Sequence, residues 1–224
     1  MEFHSSSSPS WVISQRWSSL IFLNYSIDPL QLQKRLPPGF ELEQFQEKAY
    51  LSIVPFHMSR IRFPYTPPVP FVSLWELNIR TYVRVNGVPG IYFFTLDTNH
   101  RFAAWVARLF FALPYRKTSL NGNLSATRIS FEDTNFSLDA TIQGQKQKND
   151  FRSWITERYH LFTMKKGKIL QGTALHVPWK LKHIRINHLE SSFLESFQFR
   201  KPQLVDAFAG ETLDVKFCPF NKVN

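Results

Sequence analysis

The sequence predicts a single β-rich α+β domain, and three observations carry that prediction. Runs of β-propensity residues, punctuated by turn residues, recur from Lys48 to Phe217. An Asn-Gly pair, Asn86-Gly87, joins two of the longest of these runs. One substantial stretch, near 99–112, places its apolar residues at helical spacing. No internal repeat, coiled-coil heptad or linker composition divides the chain.

Taken in order, residues 1–10 (MEFHSSSSPS) form a flexible Ser-rich leader, and 11–224 form the domain. A short helix is predicted over 29–36. Asp28 caps it, Pro29 sits where an N–H is not needed, and Pro37-Pro38-Gly39 ends it. Lys48–Met58 reads as a strand, with Pro55 implying an edge or a bulge. Pro64, Pro67, Pro68 and Pro70 make Phe63–Phe71 an extended loop, a flap over whatever lies beneath it.

Leu74–Val85 and Val88–Asp97 form a hairpin with a type I′ turn, because both turn positions need positive φ and Asn-Gly supplies it. Pairing outward from Val85–Val88 sets Arg80 opposite Phe93, Asn78 opposite Thr95 and Glu76 opposite Asp97. Period two then places Glu76, Asn78, Arg80, Tyr82, Thr95 and Asp97 on one face. Leu77, Ile79, Val83, Tyr92, Phe94 and Leu96 take the other. A helix follows through Leu113 with Phe102, Val106, Leu109, Phe110 and Leu113 on one stripe, and Pro114 stops it. Further strands are expected near 124–131, 136–143, 168–177, 182–188 and 212–217. Helical or irregular stretches fall near 150–158 and 189–197.

The 224 residues, 43% hydrophobic and 16% aromatic, supply ample core material for one domain. The net charge of +10 invites a nucleic-acid reading, but residues 1–124 hold 12 Lys/Arg against 7 acids, and 125–224 hold 15 against 10. Each half is therefore +5, with no basic arm, which makes nucleic acid a weak candidate partner. The single cysteine, Cys218, cannot form an intrachain disulfide, and the leader has no apolar core of a signal peptide. No apolar run approaches the ~20 residues of a membrane helix. A cytoplasmic protein with no membrane association is expected. No His-Glu-x-x-His, paired cysteines, G-x-S-x-G, phosphate loop or dinucleotide fingerprint occurs, so neither a metal site nor a cofactor is expected.

The run Trp75-Glu76-Leu77-Asn78-Ile79-Arg80-Thr81-Tyr82-Val83 resembles the E-x-N-x-R-T-Y-V strand of YqjF-like proteins. Pro89-Gly90-Ile91-Tyr92-Phe93-Phe94, Leu96-Asp97, Ala107-Arg108-Leu109 and Leu113-Pro114-Tyr115 are similar to the blocks that follow it. Leu36-Pro37, Val54-Pro55-Phe56, Glu157-Arg158-Tyr159 and His176-x-Pro178-Trp179 extend the match from about Trp17 to the C-terminus. The resemblance implies the acetoacetate-decarboxylase-like fold, a closed or cone-shaped, mainly antiparallel β-barrel with a few flanking helices and an interior cavity. It carries no established activity for the YqjF-like branch.

In such a barrel the polar hairpin face lines the cavity. Arg80 then serves as the anion anchor, with Asn78, Tyr82, Arg108 and Tyr115 as ligand contacts and Glu76 and Asp97 as acid–base groups. A plain antiparallel sheet with one solvated face explains the same pattern. The expected partner is a small carbonyl- or carboxylate-bearing molecule. The decarboxylases use a cavity lysine that forms a Schiff base, and Lys117, beside Arg116, stands about where that lysine falls. The YqjF-like pattern has aromatic or small polar residues there instead. A Schiff-base lyase using Lys117 is the alternative reading; a surface lysine at the start of a strand is the plainer account. His57 and His176 could enter the cavity, and Glu157-Arg158-Tyr159 reads as an internal ion pair with an aromatic.

Overall fold

The structure is a computed structural model that describes residues 11–100 and 113–223. The first half of the chain forms β1 (Ile13–Ser18), β2 (Leu20–Ile27), helix α1 (Pro29–Gln33), β3 (Glu41–Leu42), β4 (Ala49–Arg62), β5 (Leu74–Val85) and β6 (Val88–Thr98). The next stretch gives β7 (Tyr115–Lys117), β8 (Asn121–Leu124), β9 (Arg128–Asp133), β10 (Phe136–Lys146), α2 (Asp150–Thr156), β11 (His160–Lys165) and β12 (Lys168–Leu175). The last is β13 (Leu181–Ser191), α3 (Phe193–Ser196), β14 (Gln203–Gly210), β15 (Leu213–Phe217) and β16 (Asn221–Lys222). No described helix is long and apolar enough to cross a membrane.

Seven strands close a ring, in the order β5–β6–β11–β12–β15–β1–β4 and back to β5. All of these pairings are antiparallel except β6 with β11. The long strand β4 makes closure work. One edge pairs with β5, while the other pairs first with β2 and then with β1. Pro55 falls in the gap between those two pairings, the tolerated place for a residue without an N–H. Strands β1 and β2 follow one another through Ser19, whose φ of 57 turns the chain out of the ring. From β2 a branch runs β14–β13–β10–β9–β8.

That branch folds back over the outside of the ring. Leu23, Leu51, Ile53, Leu77 and Ile79 point outward and are sealed in one core by Phe131, Phe136 and Leu138 of β9 and β10 and by Phe193 of α3. Alternate residues on the same strands, including Phe22, Val54, Phe56, Leu74 and Tyr82, point into the ring and form a second core. Neither face of β5 is solvated, so the plain-sheet account does not hold.

The local expectations fare unevenly. Asp28 caps α1 by accepting from the Gln31 N–H at 3.0 Å, although α1 ends at Gln33 rather than 36. Asn86 and Gly87 have φ of 49 and 76, as a type I′ turn needs. The stretch near 189–191 is the end of β13, not helix. Strands β1, β2, β11 and β14 lie where the sequence pattern singled out none. The helix expected over 99–113, with its apolar stripe and Arg108, falls almost wholly outside the described residues.

Candidate functional site: a cavity inside the strand ring

The ring encloses a cavity of about 220 Å³. Strand β5 lends it Leu74, Glu76, Asn78 and Arg80, spaced by two as an inward face must be. Trp17, Phe22, Phe56, Phe93, Trp179 and Phe217 bring aromatic rings to the wall. Several of these rings touch, Trp17 lying 5.1 Å from Phe56, 5.9 Å from Phe217 and 6.4 Å from Trp179 between centroids. Phe63 and Val69 of the proline-rich loop, and Val72 just after it, border the same space.

Arg80 is 9% exposed and has no acidic partner among the described residues. Its guanidinium carbon sits 5.3 Å from the centroid of the Phe22 ring, and its Nε–H meets no acceptor. A cation held in this way costs free energy until an anion arrives. Asn78 also leaves its Oδ1 unpaired.

Glu76 is 3% exposed, and burial pushes its carboxyl up to about 8. Hydrogen bonds from Tyr115 and Asn78 oppose that rise, and the charge of Asp97 adds to it. The Tyr115 hydroxyl donates to Glu76 Oε2 at 2.7 Å, and burial together with Glu76 pushes the phenol well up. Near pH 7 the cavity therefore contains a neutral carboxylic acid and a neutral phenol.

The expected pairing of Glu76 with Asp97 is wrong. From Val85–Val88 to Arg80–Phe93 the register is as expected, but then it shifts, and Ile79 pairs with Thr95 and Leu77 with Asp97. Phe94 is the extra residue of a β-bulge. Beyond it every β6 side chain changes face. Leu96 joins the cavity wall opposite Asn78, while Thr95 and Asp97 turn outward. Asp97, 1% exposed, receives two hydrogen bonds from Arg116, Nε at 2.7 Å and Nη2 at 2.8 Å. The outward set is corrected too, since Leu96 faces in.

Short strand β7 lies parallel to β6, with Tyr115 beside Leu96 and Arg116 beside Asp97. Tyr115 therefore enters the cavity and Arg116 does not. Lys117 is exposed and lines no part of the cavity. Every lysine of the chain lies within the described residues, and none is in the wall.

Tyr82 shares the inward face but is fully buried beneath the wall. Its hydroxyl is hydrogen-bonded to Ser52 Oγ at 2.7 Å, which also donates to Asn24 Oδ1 at 2.7 Å. His176 lines the cavity; His57 instead hydrogen-bonds Ser18 and Ser73.

A family model for uncharacterised conserved proteins, DUF2071, matches residues 14–210. The chain belongs to that family. The DUF2071 chain is 33% identical to the uncharacterised protein YqjF of Bacillus subtilis over 186 residues, 77% of this chain and 76% of that protein. Its fold is that of the acetoacetate decarboxylases. An acetoacetate decarboxylase-like enzyme from Sphingomonas wittichii superimposes with a TM-score of 0.70 at 9% identity, covering 96% of this chain and 94% of that one. The acetoacetate decarboxylase of Legionella pneumophila gives 0.66 at 14% identity, over 97% and 88%. The enduracididine biosynthesis enzyme MppR, solved with pyruvate, gives 0.68 at 10% identity, over 99% and 93%.

Sequence reasoning missed one charged wall residue of this DUF2071 protein as a site residue. Arg158 lines the cavity, donates to Glu43 at 2.9 Å, a carboxylate it shares with Arg84, and lies 4.6 Å from the Trp154 ring, while its Nη2 meets no acceptor. The expected ion pair within Glu157-Arg158-Tyr159 is divided. Arg158 turns to Glu43, while Glu157 takes Lys148, the Tyr159 hydroxyl and the Trp179 N–H.

Proposed function

We propose that this chain binds a small carbonyl- or carboxylate-bearing molecule inside the ring of strands. Arg80 holds the anionic group, and Glu76, supported by Tyr115, presents an acidic proton to the oxygen at the other end. One observation carries the reading: Arg80 is buried in the cavity wall with no acid beside it and an unpaired Nε–H. A buried guanidinium is suited to a planar carboxylate, which it can meet with two parallel hydrogen bonds. Residues 76 and 80 of one strand lie about 13 Å apart at the backbone. Both side chains rise from the same face of the strand into the cavity, which leaves room between them for a molecule several bonds long.

Asp97 has no direct part in this reading, because the bulge at Phe94 aims it away from the ligand. Arg108 stays a proposed contact on the strength of the family resemblance. A Schiff base through Lys117 finds no support in an exposed side chain outside the wall. An imine-forming amine needs desolvation or a close cation to bring its pKa down from about 10.4.

Borohydride trapping with pyruvate and with acetoacetate, read by intact mass and paired with calorimetric titration, tests the reading. Saturable binding with unchanged protein mass is expected. A covalent adduct abolished in Lys117→Ala would establish the lyase instead.

A further inference from the structure

We infer that the ligand of this cavity is a monocarboxylate with a compact apolar body, a single ring or a branched chain, rather than a short oxo acid or a dicarboxylate. The inference rests on the carboxylate reading above and adds what lies behind the anionic group.

Charge comes first. Arg158 already has Glu43 beside it, a carboxylate it shares with Arg84, and Glu76 carries a proton near pH 7. Burial lowers His160 and His176, so both imidazoles are neutral there too. Arg80 is then the one arginine of the described wall with no acidic partner at all. A second carboxylate would have to compete with Glu43 for Arg158, so burying its charge would cost more than burying the first.

Shape comes second. At about 220 Å³ the space lies below the ~300 Å³ at which drug-sized pockets begin. A molecule on the order of ten non-hydrogen atoms fills such a space. Pyruvate, with six, leaves a void against rings that attract an apolar surface. Phe93 stands directly across the strand pair from Arg80, and Phe22 lies under the guanidinium. Trp17, Phe56 and Phe217 continue the aromatic surface away from the charge. An acid whose carboxylate sits on Arg80 therefore has to point an apolar body along these rings.

Four probes separate the elements. Phenylpyruvate carries ring and carboxylate, pyruvate lacks the ring, phenylacetone lacks the carboxylate, and oxaloacetate adds a second one. Calorimetric titration at pH 7 is expected to show phenylpyruvate binding at least about tenfold more tightly than each of the others. Phe93→Ala, checked for a cooperative thermal transition, is expected to weaken phenylpyruvate several-fold more than pyruvate and so erase most of the advantage. Pyruvate or oxaloacetate matching phenylpyruvate would overturn the inference and leave the Arg80 reading standing. An unchanged ratio in folded Phe93→Ala would also overturn it. Phenylacetone matching phenylpyruvate would sink the carboxylate reading along with it.

Discussion

Strand β5 meets two different interiors. On its outer side Leu77 and Ile79, both 0% exposed, disappear into a hydrocarbon core closed by β9, β10 and α3. On its inner side Glu76, Asn78 and Arg80 are nearly as buried, yet two of them leave polar atoms without partners, facing open space. Burial is thus similar on the two faces, but packing is not. The outer face stabilises the fold. The inner face carries polar groups whose desolvation a ligand can offset.

The largest effect that sharpens this contrast belongs to the outer core. Ile79→Ala is expected to lower stability by about 2–5 kcal/mol, because the cavity it leaves is enclosed on every side. Denaturant titration reads it. A loss under about 1 kcal/mol would mean that the branch from β2 does not seal β5.

Next in size is the inner carboxyl. Folding raises Glu76 from its ordinary 4.5 to about 8, so the folded state binds its proton more tightly than the unfolded chain does. This contribution is complete below about pH 4.5 and is lost progressively as pH rises through about 8. Stability should fall across that window by up to about 1.4 kcal/mol per unit from this group. In Glu76→Gln the slope should flatten. A parallel pH profile for the two proteins would place Glu76 in a solvated site.

Asp97 provides the counterpart outside the cavity. Asp97→Asn removes the paired bonds from Arg116, whose side chain is 54% exposed and so stays solvated. A loss of about 1–2 kcal/mol is expected, with ligand affinity unchanged within about twofold. A collapse of binding would bring Asp97 back into the site. Lys117→Ala should be the mildest change, within about 0.5 kcal/mol and without effect on binding.

The hairpin was legible in the sequence because its signals are local. Asn86-Gly87 fixes the turn, and the polar residues at 76, 78 and 80 recur with period two. The bulge was not legible. Residues 92–96 read Tyr-Phe-Phe-Thr-Leu, and aromatic side chains suit either a core or a cavity wall, so alternation gives no mark where one residue is inserted. That one residue decides which acid faces inward.

Strand β2 escaped for a related reason. Leu20-Ile21-Phe22-Leu23 is buried on both faces, which removes the alternation that identifies a half-exposed strand. With it went Phe22, the ring under Arg80. Lys117 was misleading in the opposite way. Its place in the chain is about where the decarboxylases carry their lysine, but exposure is set by where short β7 ends beside β6, which no local signal encodes.

Calorimetric titration of the native chain and of Arg80→Met with pyruvate at pH 7, beside their thermal unfolding, tests most directly whether the inner face of β5 exists to hold an anion. The variant should fold with a melting temperature equal to or above that of the native chain, since an unpaired buried charge has been removed. Its affinity should fall by at least about thirtyfold, in line with the ~2–5 kcal/mol lost when one partner of a buried charge pair is truncated. Equal affinity in a stably folded Arg80→Met protein would contradict the account.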